Sequence, residues 1–183
     1  MIYEPNEDSY LLAEQVKKYA HGKVLDMGTG SGIQAETALK NTKDVLAADI
    51  NEESVNYCKK KGINSIQSDL FQKVSGKFDL IIFNPPYLPL EREYAHITMT
   101  EKDFNYINDI SIVGGKKGYE TIERFLKEAK KHLNKDGKIL LSFSNLSGNI
   151  GSFIKKYRYE HRRIAEKKVF FETLYVYLLK DSK

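Results

Sequence analysis

The stretch "KVLDMGTGSGIQAETALK", Lys23 to Lys40, sets the architecture. "KVLDMG" reads as a short buried strand ending at glycine, and "IQAETALK" as a helix. Between them Gly28, Gly30 and Gly32 give the backbone dihedrals barred to other residues and let it approach a ligand closely. The same alternation continues downstream. "DVLAADI" is a second strand. "NEESVNYCKKKG" is a helix with an Asn cap, an acidic first turn, lysines in the last turn and a closing glycine. "INSIQSDLF" is a short strand and loop, and "FDLIIFNPPY" is the most apolar strand. "GYETIERFLKEAKKHLNKDG" predicts the longest amphipathic helix, closed by Asp-Gly, before the strand "KILLSFS" and the helix "NIGSFIKKYR". "IAEKKVFFETLYVYLLK" predicts two strands around Phe171-Glu172-Thr173. Upstream, Tyr10, Leu11, Leu12, Val16 and Tyr19 recur at helical spacing behind the capping candidates Asp8 and Ser9. The pattern is α/β: βαβ units, a mostly parallel sheet and an antiparallel C-terminal hairpin.

The glycine turn also limits the ligand. A dinucleotide fingerprint needs a third glycine at position 33, which is Ile33, and no Walker lysine follows. The spacing is G-x-G-x-G, with Asp26 two residues before the first glycine. A phosphate-free ligand made of an amino acid, a ribose and a base suits it better, and S-adenosylmethionine is that ligand. Asp49 ends the second strand, where a carboxylate can accept both ribose hydroxyls. Asp69 follows the third, placed for the adenine amino group, with Leu70 against the base. Each acid alone would pass for a cap or a solvated loop carboxylate. Three at consecutive strand ends, beside the glycine turn, form a cofactor site, because ligands of such sheets bind beyond the carboxyl ends of the strands.

Size and composition agree with one domain spanning residues 1–183: a helical segment at 1–20 carrying a site-side motif, and a long aperiodic stretch at 89–118 expected to face the substrate. No apolar run approaches the ~18 residues of a membrane span. "MIYEPNEDSY" has neither a basic nor an apolar leader region, so a cytoplasmic location is expected. Cys58 is the sole cysteine and the four histidines are scattered, so no metal site is expected. The net charge of +4 is weaker than dedicated nucleic-acid binders show. The late basic clusters read first as solvated faces, with contact to RNA or an acidic partner left open.

"DMGTGSG", "ADI", "SDLF" and "FNPPY", in this order, resemble the class I methyltransferases of the HemK kind. "YEPNEDSYLL" and "GGKKGYE" resemble their short archaeal and eukaryotic branch, the peptide chain release factor glutamine N5-methyltransferases. The likeness runs from about Tyr3 to Lys180. It implies a Rossmann-like seven-stranded sheet, and S-adenosylmethionine contacts at Ser9, Asp26, Gly28, Asp49, Asp69, Leu70 and Asn84. Ser9 stands where the motif more often has threonine; the hydroxyl is kept. The resemblance implies a release factor as substrate and a small zinc-binding activator subunit as partner, and the helical N-terminal domain of the bacterial enzymes is not expected. Residues 91–112 align with nothing in the family.

Asn84-Pro85-Pro86-Tyr87 is the expected catalytic segment. An amide nitrogen is a poor nucleophile, so the protein must position it against a methyl group that the cofactor has already activated. If the Asn84 side-chain oxygen and the Pro85 carbonyl each accept one N–H of a planar –NH2, its nitrogen is aimed. Pro85 and Pro86 have fixed φ and no N–H, which keeps that carbonyl pointed. Tyr87 can pack on the planar group. A DNA or RNA methyltransferase acting on exocyclic base amines would share these residues and stack Tyr87 on a flipped base. A non-catalytic cofactor-binding scaffold would have no need of the clamp, and Ile33 argues against a dehydrogenase. Gly114, Gly115 and Gly118 read as a turn at a helix start. Tyr157, Tyr159, Phe170, Phe171, Tyr175 and Tyr177 read as core and sheet-face residues, and Glu172 as a hairpin-turn residue.

Overall fold

A computed structural model describes residues 2–89 and 112–182. Seven strands form one sheet in the order β3-β2-β1-β4-β5-β7-β6. In chain order they are β1 (Val24–Met27), β2 (Val45–Asp49), β3 (Ser65–Gln67), β4 (Phe78–Phe83), β5 (Leu133–Ser144), β6 (Tyr159–Val169) and β7 (Glu172–Asp181). Strands β1 to β5 pair in parallel, and β7 pairs antiparallel with both β5 and β6. This is the α/β sheet with an antiparallel C-terminal hairpin that the alternation implied. Helices α1 (Glu7–Tyr19), α2 (Ile33–Ala38), α3 (Glu52–Lys60), α4 (Glu120–Ala129) and α5 (Ile150–Lys156) cover its faces.

Strand β4 shows why the sheet lies between two helical layers. Side chains alternate along a strand, and both faces of this one are apolar. Leu80 and Ile82 join the core under α1 and α2 with Leu12, Val16, Ala35 and Ala38. Ile81 and Phe83 join the opposite core with Ile122, Phe125 and Leu126 of α4 and Ile154 of α5. Full burial of each such side chain is worth about 1.5–3 kcal/mol. That burial fixes the carboxyl end of β4, and therefore Asn84.

Two expectations about element boundaries are corrected. The N-cap of α1 is Asn6, whose side chain accepts from the Glu7 N–H, so Asp8 and Ser9 lie inside the helix. The helix predicted from Gly118 to Gly137 ends at Ala129, passes through a 3₁₀ turn at Lys130–His132, and becomes strand from Leu133. Leu133 pairs with Phe78, and the Asn134 amide donates to Asp79 at 2.7 Å. These partners lie more than fifty residues back and override the local helical period. The expected substrate-side loop at 89–118 falls largely outside the described residues, apart from Pro89 and 112–118. Among the described residues no helix is long and apolar enough to cross a membrane.

Candidate active site

Beyond the carboxyl ends of β1 to β4, a cavity of about 360 Å³ opens beside the N-terminal segment, within the usual size range of small-molecule sites. Its floor is the glycine loop. Gly28, Gly30 and Gly32 have φ of +64°, +52° and +88°, which only glycine adopts without strain. A Cβ on Gly28 would also come within 3.1 Å of the Phe83 ring.

Two acids hold this loop. Asp26 Oδ2 accepts from the Thr29 hydroxyl at 2.6 Å and from the Ala35 N–H at 3.0 Å. Burial pushes the Asp26 carboxyl up to about 7, outweighing those hydrogen bonds. Asp49 accepts from the Gly30 N–H and the Asn51 N–H, each at 2.8 Å. Burial raises its pKa too, with the backbone donors pulling the other way. Of the residues expected at the cofactor, Ser9, Gly28, Gly30, Asp49, Asp69, Leu70 and Asn84 line the cavity. Asp26 and Gly32 are not on its wall. They sit behind the loop and shape it, because the Asp26 carboxylate is spent on Thr29 and Ala35.

Asp69 accepts from Arg124 at 2.7 Å and from the Gln72 amide at 3.2 Å. Leu70, with φ +47°, holds a conformation that is uncommon for a side chain of its kind. The Ser68 hydroxyl donates to the Leu70 carbonyl at 2.7 Å and secures it.

The other end of the cavity is organised by Asp8, a capping candidate by its sequence position. Its buried carboxylate accepts from the Tyr3 hydroxyl at 3.1 Å, the Ser9 N–H at 2.6 Å, the Asn84 amide at 3.1 Å and the Tyr87 hydroxyl at 3.5 Å. The Asn84 Nδ2 also reaches the Ser9 hydroxyl at 3.4 Å. With its –NH2 committed to Asp8, the orientation of the Asn84 amide is assigned, and its oxygen faces away from that anchor. Desolvation, followed by the Asp8 charge, raises the Tyr87 phenol, so it stays protonated.

Glycines keep the Asn84–Tyr87 segment in place. A Cβ on Gly114 would meet the Gly118 carbonyl at 2.3 Å and the Pro86 carbonyl at 2.5 Å. One on Gly118 would meet the Tyr87 carbonyl at 2.5 Å. The expected turn before α4 therefore also backs the proline segment, and the Gly114 N–H donates to the Leu88 carbonyl at 3.1 Å.

The chemistry of the lining is one-sided. Its described residues carry the acids Asp8, Asp49, Asp69 and Glu172, while the one cation, Arg124, is paired with Asp69. Gln34, Asn84 and Glu172 are among the lining residues, and Gln34 Oε1, Asn84 Oδ1 and Glu172 Oε2 are buried acceptors without a hydrogen-bond partner among the described residues. Buried polar atoms are normally satisfied, so a ligand that completes this site brings N–H or O–H donors and tolerates negative charge. Asp8, Gln34 and Glu172 were not singled out as site residues from the sequence. Only Asp8 carries a sequence signal, its place inside the opening motif.

Residues 4–102 match the Methyltransferase small domain family. A Methanocaldococcus jannaschii protein, named as a candidate protein N5-glutamine methyltransferase, is 36% identical over 96% of this chain and 89% of its own length. The release factor glutamine methyltransferase of Lactococcus lactis is 30% identical over 75% of this chain and 52% of its own. The chain thus spans about half the length of that bacterial relative. Among solved structures, the E. cuniculi Mtq2–Trm112 complex, responsible for methylation of the eRF1 translation termination factor, matches with TM-score 0.77 and 25% identity over 99% of both chains. A Bacteroides fragilis SAM-dependent methyltransferase in complex with S-adenosyl-L-homocysteine shares the fold at TM-score 0.66, with 19% identity over 94% of this chain and 78% of its own.

Proposed function

The chain belongs to the Methyltransferase small domain family, and from that premise we propose that it methylates N5 of a glutamine side chain in a peptide chain release factor. When bound, S-adenosylmethionine supplies a methyl group already activated by a sulfonium charge. The residues present fit that cofactor. A cationic, phosphate-free ligand suits a wall on which, among the described residues, acids outnumber the one paired cation, whereas a pyrophosphate would meet uncompensated carboxylates. Gly28 and Gly30 leave room for close backbone approach, Asp49 would take the ribose, and Asp69 with Leu70 the base. Ser9 and Gln34 lie toward the amino-acid end, where the Gln34 amide already donates to the Ser9 carbonyl at 2.9 Å.

The single observation that carries the proposal is the Asn84 oxygen, buried and without a partner among the described residues while its own –NH2 is tied to Asp8. An acceptor held in that way is shaped for one N–H of an incoming primary amide, and the Pro85 carbonyl would take the other. Such positioning accounts for about 7–11 kcal/mol of barrier in well-oriented reactions. An acceptor-rich, acidic pocket favours an amide on a protein over a base on a phosphate backbone. We extend to this chain the two-protein assembly of the E. cuniculi structure, and propose that the partner here is a small zinc-binding activator subunit. The domain is taken as residues 1–183 acting as one catalytic unit.

The test is methyl transfer to a release factor, with and without an activator subunit, run in parallel against RNA and DNA. Asn84→Ala is expected to lower turnover by about 100-fold or more, while calorimetric S-adenosylmethionine affinity changes far less. Full turnover in that variant, or transfer to nucleic acid alone, would overturn the reading.

A further inference from the structure

We propose that the β6–β7 hairpin tip, Phe170-Phe171-Glu172, is the docking element for the polypeptide substrate, the two phenylalanines gripping it outside the cavity and Glu172 accepting one of its N–H groups just inside. This rests on the protein-amide methylation proposed above and adds the recognition element to it. Phe170 and Phe171 were expected in the core or on a sheet face. They are instead 90% and 77% exposed. Val169 pairs with Glu172, so the two form a two-residue hairpin turn. Phe170 has φ +42° at the first turn position, where glycine is ordinarily found. Backbone strain and exposed aromatic surface both work against stability, and a polar turn with glycine at position 170 would remove both. Retained together, they mark a surface that is covered at some stage of the protein's work.

What covers it follows from the next residue. Glu172, expected to be only a turn residue, lines the cavity with Oε2 buried and unpartnered among the described residues. Its carboxylate lies beside the Ser144 hydroxyl and close enough to Asp8 to feel its charge. The sheet order puts it on the substrate half. The glycine loop, Asp49 and Asp69 follow β1, β2 and β3 on one side of β4, while β7 lies two strands beyond β4 on the other. Apolar surface outside is therefore adjoined in the chain by an acceptor on the wall of the cavity that Asn84 also lines. A chain whose glutamine reaches Asn84 would cross the tip and present main-chain N–H groups to Glu172. The tip is firmly based: the Thr173 N–H donates to Asn145 at 2.7 Å, and Lys167 of β6 pairs with Glu7 of α1.

The experiment is steady-state methylation of the intact release factor by the full chain, with its activator where one is required. F170A/F171A is expected to raise KM about tenfold or more, as loss of aromatic anchors does, with kcat and calorimetric S-adenosylmethionine affinity unchanged. Glu172→Leu is expected to raise KM similarly, and Glu172→Gln, which keeps an acceptor, to recover most of the loss. Wild-type inactivity on the release factor would mean the functional reading itself has failed. With an active wild type, an unchanged KM in both F170A/F171A and Glu172→Leu overturns the docking role alone. So does a double variant that loses only self-association or only activator binding, since the tip would then belong to that contact.

Discussion

Replacing Asp8 by alanine tests whether the clamp oxygen is oriented from behind. In the proposed clamp Asp8 acts through Asn84 and is assigned no contact with either reactant. It holds the Asn84 amide through a 3.1 Å bond to Nδ2, and the other acceptor in reach is the Ser9 hydroxyl at 3.4 Å. A hydrogen bond to a charged acceptor contributes about 1.5–3 kcal/mol. Without it, the Asn84 side chain is free to turn over and present –NH2 where it now presents oxygen, so that donor would meet donor. At 1.36 kcal/mol per factor of ten, kcat should fall by about 10–150-fold. The Tyr3 hydroxyl and the Ser9 N–H also lose their acceptor, so a stability loss of about 1–3 kcal/mol is expected and is checked by melting. Asp8→Asn keeps one acceptor and should fall between. The assay is single-turnover methyl transfer at saturating cofactor and substrate, with cofactor affinity measured separately. A folded Asp8→Ala with wild-type kcat, or one whose whole defect lies in cofactor affinity, would refute the reasoning.

Gly114→Ala brings a methyl against the Pro86 and Gly118 carbonyls, neither of which can yield without moving the proline segment. Displacement of about 1 Å costs on the order of 100-fold in rate, so kcat should fall by that order in a variant that still binds cofactor; normal turnover would show that the glycine does not support the clamp. The pH dependence of stability tests Asp26. Its carboxyl moves from an ordinary 3.8 to about 7 on folding. Between those values the folded chain binds the extra proton, so this group's contribution to stability falls as pH rises and levels off above about 7. Relative to Asp26→Asn, urea-denaturation free energies of the wild type should decline by up to about 1.4 kcal/mol per pH unit across that window. Parallel curves would show that the carboxyl is not buried as described.

How much of this was legible in the sequence depends on how far away the deciding partner lies. The glycine loop, the Asn51 cap of α3 and the apolar run of β4 were readable because local backbone and burial requirements fix them. The start of β5 was not: Lys130 to Asp136 continues a helical period, and Phe78 and Asp79, across the sheet, convert it to strand. The exposure of Phe170 and Phe171 was also hidden, since aromatic residues between two strand patterns ordinarily pack. Glu172 read as a turn residue because position in a hairpin says nothing of which end of the sheet the hairpin reaches.

Asp8 is the most instructive case. An acid in the first turn of a helix ordinarily faces solvent and complements the helix dipole, and by that local rule it needed no further account. Its partners Asn84 and Tyr87 lie 76 and 79 residues away. Only the parallel crossover that sets β4 beside β1 brings them together. The charge then acts at a distance from the chemistry. Donation from Asn84 to a buried carboxylate polarises the amide and strengthens its opposite oxygen as an acceptor, because hydrogen bonds in a chain reinforce one another where the dielectric is low. The same arrangement places negative charge behind the nitrogen that would become positive as it gains a methyl group. A neutral hydroxyl at position 8 could occupy the first turn of α1 equally well, but it could do neither of these things.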